Sequence, residues 1–92
     1  IFIDSVNFFE LSDDLNNNAL LIDLREYNEF QKYHIPSSVS IHQLATIPRN
    51  RRIIFICNYG NKAKEYASYY HQYYLEGGIY RYLEMSKKHH IF

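Results

Sequence analysis

The chain has 92 residues, of which 47% are hydrophobic and 17% aromatic, with ten Tyr and six Phe. A chain of this length forms one domain around one modest core, and its hydrophobic content argues against disorder. Ten basic and ten acidic residues give a formal net charge of zero, so we expect no nucleic-acid partner and no anionic membrane partner.

The chain contains a single cysteine, Cys57, which excludes an internal disulfide and a zinc site built from several cysteines. Small secreted domains usually carry paired cysteines, so we expect a reducing, cytoplasmic location. No apolar run approaches the length of a membrane span, and the start of the chain does not resemble a signal peptide. The histidines share no metal-ligand spacing with acidic residues or with sulfur. We therefore expect neither a metal nor another cofactor.

The N-terminal region is predicted to hold an edge strand and a short helix. Residues 1–3 are apolar and are typical of an edge strand. Ser5 is a suitable helix cap. The predicted helix carries hydrophobic residues at helical spacing: Phe8, Leu11 and Leu15. The asparagines at 16–18 predict the loop that follows.

The next segment, residues 20–24, has the composition of a buried strand with a carboxylate near its end. A buried carboxylate needs a partner, and Arg25 is the nearest cation in sequence, so we expect Asp23 and Arg25 to form a structural ion pair. A helix is predicted over 26–33, and it should end before Pro36 because the residue preceding a proline avoids helical angles. For His34, hydrogen bonding to the backbone is favoured over a role as a catalytic base.

A short strand is predicted at 39–41 and one helical turn at 42–47. For the basic connector at 49–52, a solvated loop is favoured over the alternative, attraction of an anionic donor. Four apolar residues, 53–56, then predict a buried strand that leads directly into Cys57. A helix is predicted from about residue 61 to residue 70 or 71.

Cys57 should therefore lie at the carboxyl end of a central strand, where open α/β sheets bind ligands. The chemistry expected there is that of a thiolate, which backbone N–H groups and a helix N-terminus stabilise. Gly60 allows the loop to turn, and Lys62 adds a positive charge. The alternative is that Cys57 is only a small buried hydrophobic residue.

A last strand is predicted at 73–75, a turn at 77–78, and a helix over 79–85 with inward residues Ile79, Tyr82 and Leu83. Residues 1–86 should form the domain and 87–92 a tail, with His89 and His90 exposed. Strands alternating with helices predict an α/β fold with a central parallel sheet and helices on both faces. Five tyrosines are too dense to be all core, and ordinary surface tyrosine is favoured over a partner surface formed by some of them: Tyr66, Tyr69, Tyr70, Tyr73 and Tyr74.

Four stretches together resemble the rhodanese homology domain. Residues 21–26 resemble its first signature, with Asp and Arg two positions apart after a strand, and residues 29–36 resemble its E-[FY]…G-H-I-P stretch. Residues 57–62 resemble its active-site loop C-R-x-G-x-R, and residues 75–79 its closing L-x-G-G segment. The stretches occur in the family's order along most of the chain, from about 20 to 83.

The resemblance implies a small α/β fold and, where active, sulfur transfer from a small donor to a thiol or cyanide. Cys57 would be the nucleophile and then the persulfide carrier. The backbone N–H groups of the following loop would hold the persulfide anion: Asn58, Tyr59, Gly60, Asn61 and Lys62. Without a second cysteine, sulfur on Cys57 must leave to an external acceptor.

The loop departs from the family pattern at three positions. Asn58 and Lys62 replace arginines, and Ala63 replaces the usual Ser or Thr. Lysine lacks the planar fork that binds an oxyanion through two hydrogen bonds, so we expect poor turnover of thiosulfate. These losses also leave open a non-catalytic, protein-binding module. A cysteine phosphatase is disfavoured because its loop needs arginine six residues after the cysteine, where this chain has Ala63.

Overall fold

The computed structural model describes residues 4–89, and its centre is a sheet of five parallel strands. The strands are β1 (Ser5–Val6), β2 (Leu20–Asp23), β3 (Val39–Ser40), β4 (Ile53–Ile56) and β5 (Tyr73–Leu75). The helices are α1 (Leu11–Asn16), α2 (Tyr27–Lys32), α3 (Asn61–Tyr70) and α4 (Gly78–His89). Single 3-10 turns lie at Phe8–Glu10 and Ile41–Gln43. The predicted α/β fold with a parallel sheet is confirmed.

The strand order is β1-β5-β4-β2-β3. This order creates a crevice between β2 and β4, the two strands that pair most extensively. From β2 the chain proceeds to β3 on one side, and from β4 it proceeds to β5 on the other side. The loops that leave β2 and β4 therefore diverge at the carboxyl edge of the sheet. Such a switch point is where open α/β sheets bind ligands. Asp23, at the end of β2, lies opposite Ile56, at the end of β4.

Side chains of β4 alternate between two cores, one on each face of the sheet. Ile54 and Ile56 pack in the core that also contains Leu11 of α1 and Ile79 of α4. The opposite face contains Ile53 and Phe55, and α3 covers it through two small residues, Ala63 and Ala67. All four residues of β4 are buried, which accounts for its uninterrupted apolar sequence. The prediction of helices on both faces is thus confirmed.

The N-terminal prediction needs correction at Ser5. This residue belongs to β1 and does not cap a helix, because β1 pairs with β5, a partner almost seventy residues away. The cap is Asn7, whose side chain accepts a hydrogen bond from the Glu10 amide. The strand predicted at residues 1–3 lies outside the described residues. The core-facing stripe is present, since Leu11 is buried and Leu15 packs against the same core.

The last helix also differs from its prediction. It continues to His89, beyond the predicted end at Met85, so part of the predicted tail is helical. Leu83 is exposed, whereas Met85 and Ser86 are buried. The inward face of the helix follows Ile79, Tyr82 and Ser86, which are three and four residues apart, and Leu83 lies off this face. The domain boundary at residue 86 stays a prediction, and so does the exposure of His89 and His90, whose side chains lie outside the described part of the chain. No helix within residues 4–89 has the length and apolar character needed to cross a membrane.

Candidate active site

The sulfur of Cys57 accepts hydrogen bonds from two backbone amides at the start of α3. The Gly60 amide lies 3.1 Å from Sγ and the Ala63 amide lies 3.3 Å from it. Amides in the first turn of a helix have no partner inside the helix. Gly60, the N-cap residue, has φ of 99° and no side chain to satisfy them. The sulfur therefore takes the place of a capping side chain, at the positive end of the helix dipole.

The loop after Cys57 is held from behind by the start of α4. The Ile79 amide donates to the Cys57 carbonyl at 2.9 Å, and the Tyr80 amide donates to the Asn58 carbonyl at 3.3 Å. Gly78 has φ of 66°, and a Cβ at this position would collide with the backbone of Cys57 and Asn58. Glycine is thus required here for two reasons, its backbone angle and the closeness of the cysteine loop.

A cavity of about 270 Å³ opens at this edge of the sheet, and Cys57 lines it with 6% of its surface exposed. The loop after β4 supplies one wall: Asn58, Tyr59, Asn61 and Lys62. The segment after β2 supplies the other wall: Leu24, Arg25, Glu26 and Glu29. The sulfur is thus largely buried, yet it faces an open cavity and two amides point at it. These two features distinguish Cys57 from a sulfur that is enclosed on all sides by hydrocarbon.

Asp23 and Arg25 form the predicted ion pair at the end of β2. Arg25 Nη2 lies 2.8 Å from Asp23 Oδ2, and Nε donates to both carboxylate oxygens at 3.0 and 3.1 Å. The same Nη2 also donates to the Tyr33 carbonyl at 2.6 Å. The contacts with Asp23 and with the Tyr33 carbonyl hold the guanidinium in place as a wall of the cavity.

Partial burial raises the pKa of the Tyr33 hydroxyl, Tyr82 adds to this rise, and Arg25 opposes it.

His34 has the structural contact that its sequence context predicts. Its Nδ1 lies 2.9 Å from the Phe30 carbonyl, which can only accept, so Nδ1 is the donor. The imidazole also stacks on the Phe30 ring with centroids 4.0 Å apart. His34 does not line the Cys57 cavity. These contacts close the turn after α2.

The structure brings together most of the residues that the sequence singled out, and it adds others. Of the loop residues 58–62, whose amides were predicted to hold the anion, only Gly60 donates to Sγ among the described contacts. The second donor is the amide of Ala63, one residue beyond that loop. The signal for Ala63 was its place in the first helical turn. Glu26 and Glu29 were not predicted to face Cys57, and sequence alone gives no signal for their shared cavity with it.

At the rim of the cavity, Tyr59 stacks on Tyr80 with ring centroids 4.8 Å apart. Both rings are at least half exposed, at 67% and 50%. Lys62 is exposed and forms no ion pair with any described residue. Among residues 4–89, no group of three or more His, Cys, Asp and Glu side chains has an arrangement suited to a metal ion.

Comparison with known proteins agrees with this architecture. The family model described as Rhodanese-like domain matches residues 9–85. A search of curated proteins found no significant match. Among solved structures, a rhodanese-related protein from Thermoplasma volcanium superposes with a TM-score of 0.77 at 21% identity, covering 90% of this chain and 93% of that chain.

Two further structures extend the comparison. A rhodanese-like domain protein from Staphylococcus aureus is 19% identical, with a TM-score of 0.71 and coverage of 87% of this chain and 91% of that chain. An NAD-dependent persulfide reductase from A. fulgidus is 23% identical, with a TM-score of 0.57. That match covers 85% of this chain but 15% of the reductase, so the likeness concerns one part of a much longer protein. At these identities the structures establish a shared fold.

Proposed function

The chain belongs to the rhodanese-like domain family, and on that basis we propose that it is a sulfurtransferase that carries sulfane sulfur as a persulfide on Cys57. The observation that carries this proposal is the pair of amides, Gly60 and Ala63, directed at a sulfur that faces an open cavity. Preorganised N–H donors stabilise a negative charge on sulfur without rearrangement during the reaction. The cavity provides room for a small donor and acceptor.

In the first step, the Cys57 thiolate attacks the outer sulfur of a donor persulfide, R–S–SH. A new S–S bond forms to Cys57, the S–S bond of the donor breaks, and R–S⁻ leaves with the electron pair. No net oxidant is needed, because the sulfane sulfur keeps its oxidation state. With thiosulfate the same attack releases sulfite.

In the second step, an acceptor thiolate attacks the outer sulfur of the Cys57 persulfide. The acceptor becomes a persulfide and Cys57 leaves as the thiolate, which the two amides stabilise again. With cyanide as the acceptor the product is thiocyanate. The chain has no second cysteine, so no internal thiol can compete by forming a disulfide with Cys57. The acceptor must therefore enter the cavity from outside.

Mass spectrometry of the intact protein tests this proposal. We expect incubation with a low-molecular-weight persulfide to add one sulfur atom to the 92-residue chain, and incubation with cyanide to remove it. The control is Cys57→Ser, which preserves a small side chain and is expected to gain no sulfur. If the wild type stays unmodified, or if Cys57→Ser gains as much sulfur as the wild type, the proposal is wrong.

A second candidate is a protein-binding module without catalysis. It is favoured by the exposed tyrosines, since Tyr69 is 75% exposed and lies beside Tyr66 and Tyr70 around a separate cavity of about 420 Å³. Exposed aromatic residues are enriched at protein interfaces. The mass experiment separates the two candidates, because a binding module needs no sulfur on Cys57. We propose a cytoplasmic location, supported by the single unpaired cysteine.

A further inference from the structure

The charged groups around Cys57 do not favour an anionic donor. Four charged side chains line the cavity: Arg25, Lys62, Glu26 and Glu29. Arg25 is not free to bind an anion, because Asp23 holds its Nε and Nη2, and its side chain is only 7% exposed. The charge of this guanidinium is therefore cancelled within the fold.

The groups that remain give the cavity a negative balance. Lys62 contributes one positive charge, whereas Glu26 and Glu29 contribute two negative charges. Neither glutamate forms an ion pair with a residue in the described range 4–89. A cleft lined by an excess of one sign attracts ligands of the opposite sign and repels those of the same sign. This cavity therefore disfavours a dianion and favours a cation.

The two amides on Sγ do not reverse this balance. Gly60 and Ala63 direct their N–H groups at the sulfur of Cys57 itself, so they stabilise charge on that atom. A donor that carries a further charged group, away from its reacting sulfur, receives no hydrogen bond for that group from these two amides. For such a group, Lys62 is the one cation of the lining that lacks an ion-pair partner within the described residues, and lysine acts as a single point charge.

We propose that the sulfur donor bears an ammonium group, as an aminothiol persulfide does, and that Glu26 and Glu29 attract this group. The inference rests on the proposed sulfurtransferase function and names its class of donor. The chemical step is the one described above: Cys57 attacks the outer sulfur and the aminothiolate leaves. The carboxylates act on the binding of the donor and take no part in bond breaking.

A matched pair of thiol reagents measures the charge preference without sulfur transfer. The reagents are 2-aminoethyl and 2-sulfonatoethyl methanethiosulfonate, which both form a mixed disulfide with Cys57 and release methanesulfinate. We divide the ratio of their rates by the same ratio for free cysteine. The expected preference for the cationic reagent is about fivefold at low salt, and it should shrink as salt is added. A normalised ratio of one or less overturns the inference.

Variants assign that preference to the glutamates. The double variant Glu26→Gln and Glu29→Gln should bring the normalised ratio close to one, and Lys62→Gln should increase it. Glu65→Gln combined with Glu84→Gln is the matched control, since it also removes two carboxylates and neither residue lines the Cys57 cavity. An equal loss of preference in the control and in the double variant would show that overall charge, and not the cavity, sets the selectivity.

The closing experiment compares two persulfides of similar size as donors, one made from cysteamine and one made from 3-mercaptopropionate. Intact mass follows the gain of one sulfur on Cys57. The inference predicts that the cysteamine persulfide loads Cys57 about fivefold faster in the wild type and equally fast in the double glutamine variant. Equal loading of the wild type by both donors overturns the inference but leaves the sulfurtransferase proposal standing. Loading by neither donor overturns both.

Discussion

The two edges of the parallel sheet use their polar groups differently. At the amino-terminal edge, near the start of β4, polar groups contact one another. The Gln72 side chain accepts from the Ile53 amide at 3.0 Å and donates to the Arg51 carbonyl at 3.1 Å. Arg51 donates to the Asn18 carbonyl at 2.9 Å. These contacts join strands and loops and occupy the Gln72 amide and Nη2 of Arg51, whereas Nε of Arg51 is buried without a hydrogen-bond partner among the described residues.

Arg52 completes this edge. Its Nε lies 2.8 Å from Asp14 Oδ1, an ion pair that is not aligned as a hydrogen bond, and its guanidinium lies 3.8 Å from the centroid of the Tyr73 ring. The interpretation of the basic connector as a solvated loop is therefore wrong for Arg51 and Arg52. Both arginines are also at the opposite end of β4 from Cys57, so they cannot attract a donor to it.

At the carboxyl edge the polar groups face a cavity. The amides of Gly60 and Ala63 point at sulfur, while Lys62, Glu26 and Glu29 line open space. The Asp23–Arg25 pair is the exception, since it is fully committed to the fold. The difference teaches that charge density alone does not mark a functional site. The more basic segment of the chain is structural, and the site has one lysine, Lys62, that forms no ion pair within residues 4–89.

The largest expected effect contrasts the ion pairs of the two edges. Asp23→Asn leaves the buried Arg25 charge without its carboxylate, and we expect a loss of about 3 to 5 kcal/mol in the free energy of unfolding. Asp14→Asn makes the same chemical change at the partly exposed pair with Arg52, and we expect a loss of at most about 1 kcal/mol. Urea unfolding measures both. Similar losses in the two variants would contradict the contrast.

A smaller effect is expected at the glycine beneath the cysteine loop. Gly78→Ala places a methyl group against the backbone of Cys57 and Asn58, so we expect a loss of about 2 to 4 kcal/mol and slower alkylation of Cys57. Gly77→Ala is the control, because its φ is also positive, at 77°, but its new methyl group meets the Arg81 side chain. We expect Gly77→Ala to reduce stability without altering the alkylation rate. Unchanged alkylation in Gly78→Ala would argue against this support of the loop.

The smallest effect tests the amino-terminal edge. Gln72→Ala removes the acceptor of the Ile53 amide and the donor to the Arg51 carbonyl, and we expect a loss of about 1 to 2 kcal/mol. The rate of sulfur loading on Cys57 should not change, because this edge lies at the other end of β4. Thermal unfolding and intact mass provide the two readouts. A change in loading at unchanged stability would mean that the two edges are coupled.

Much of this protein follows from local sequence. The apolar runs at 20–24 and 53–56 predict buried strands, and the observed α3 matches its predicted start at residue 61. Asp23 and Arg25 are two residues apart and His34 is four residues from its partner Phe30, so their contacts are local too. Patterns of this kind depend on spacing within one element, and the sequence displays them directly.

Only the tertiary structure decided the remaining features. Ser5 became part of a strand because β5, far away in the chain, was available to pair with it. Glu26 and Glu29 share a cavity with Cys57, and Gly78 lies beneath it, because parallel strands bring loops from distant segments to one edge. The sequence by itself determined strands β2 to β5, the helix after the cysteine and the family. The charge that surrounds the sulfur depended on long-range pairing, which no local pattern records.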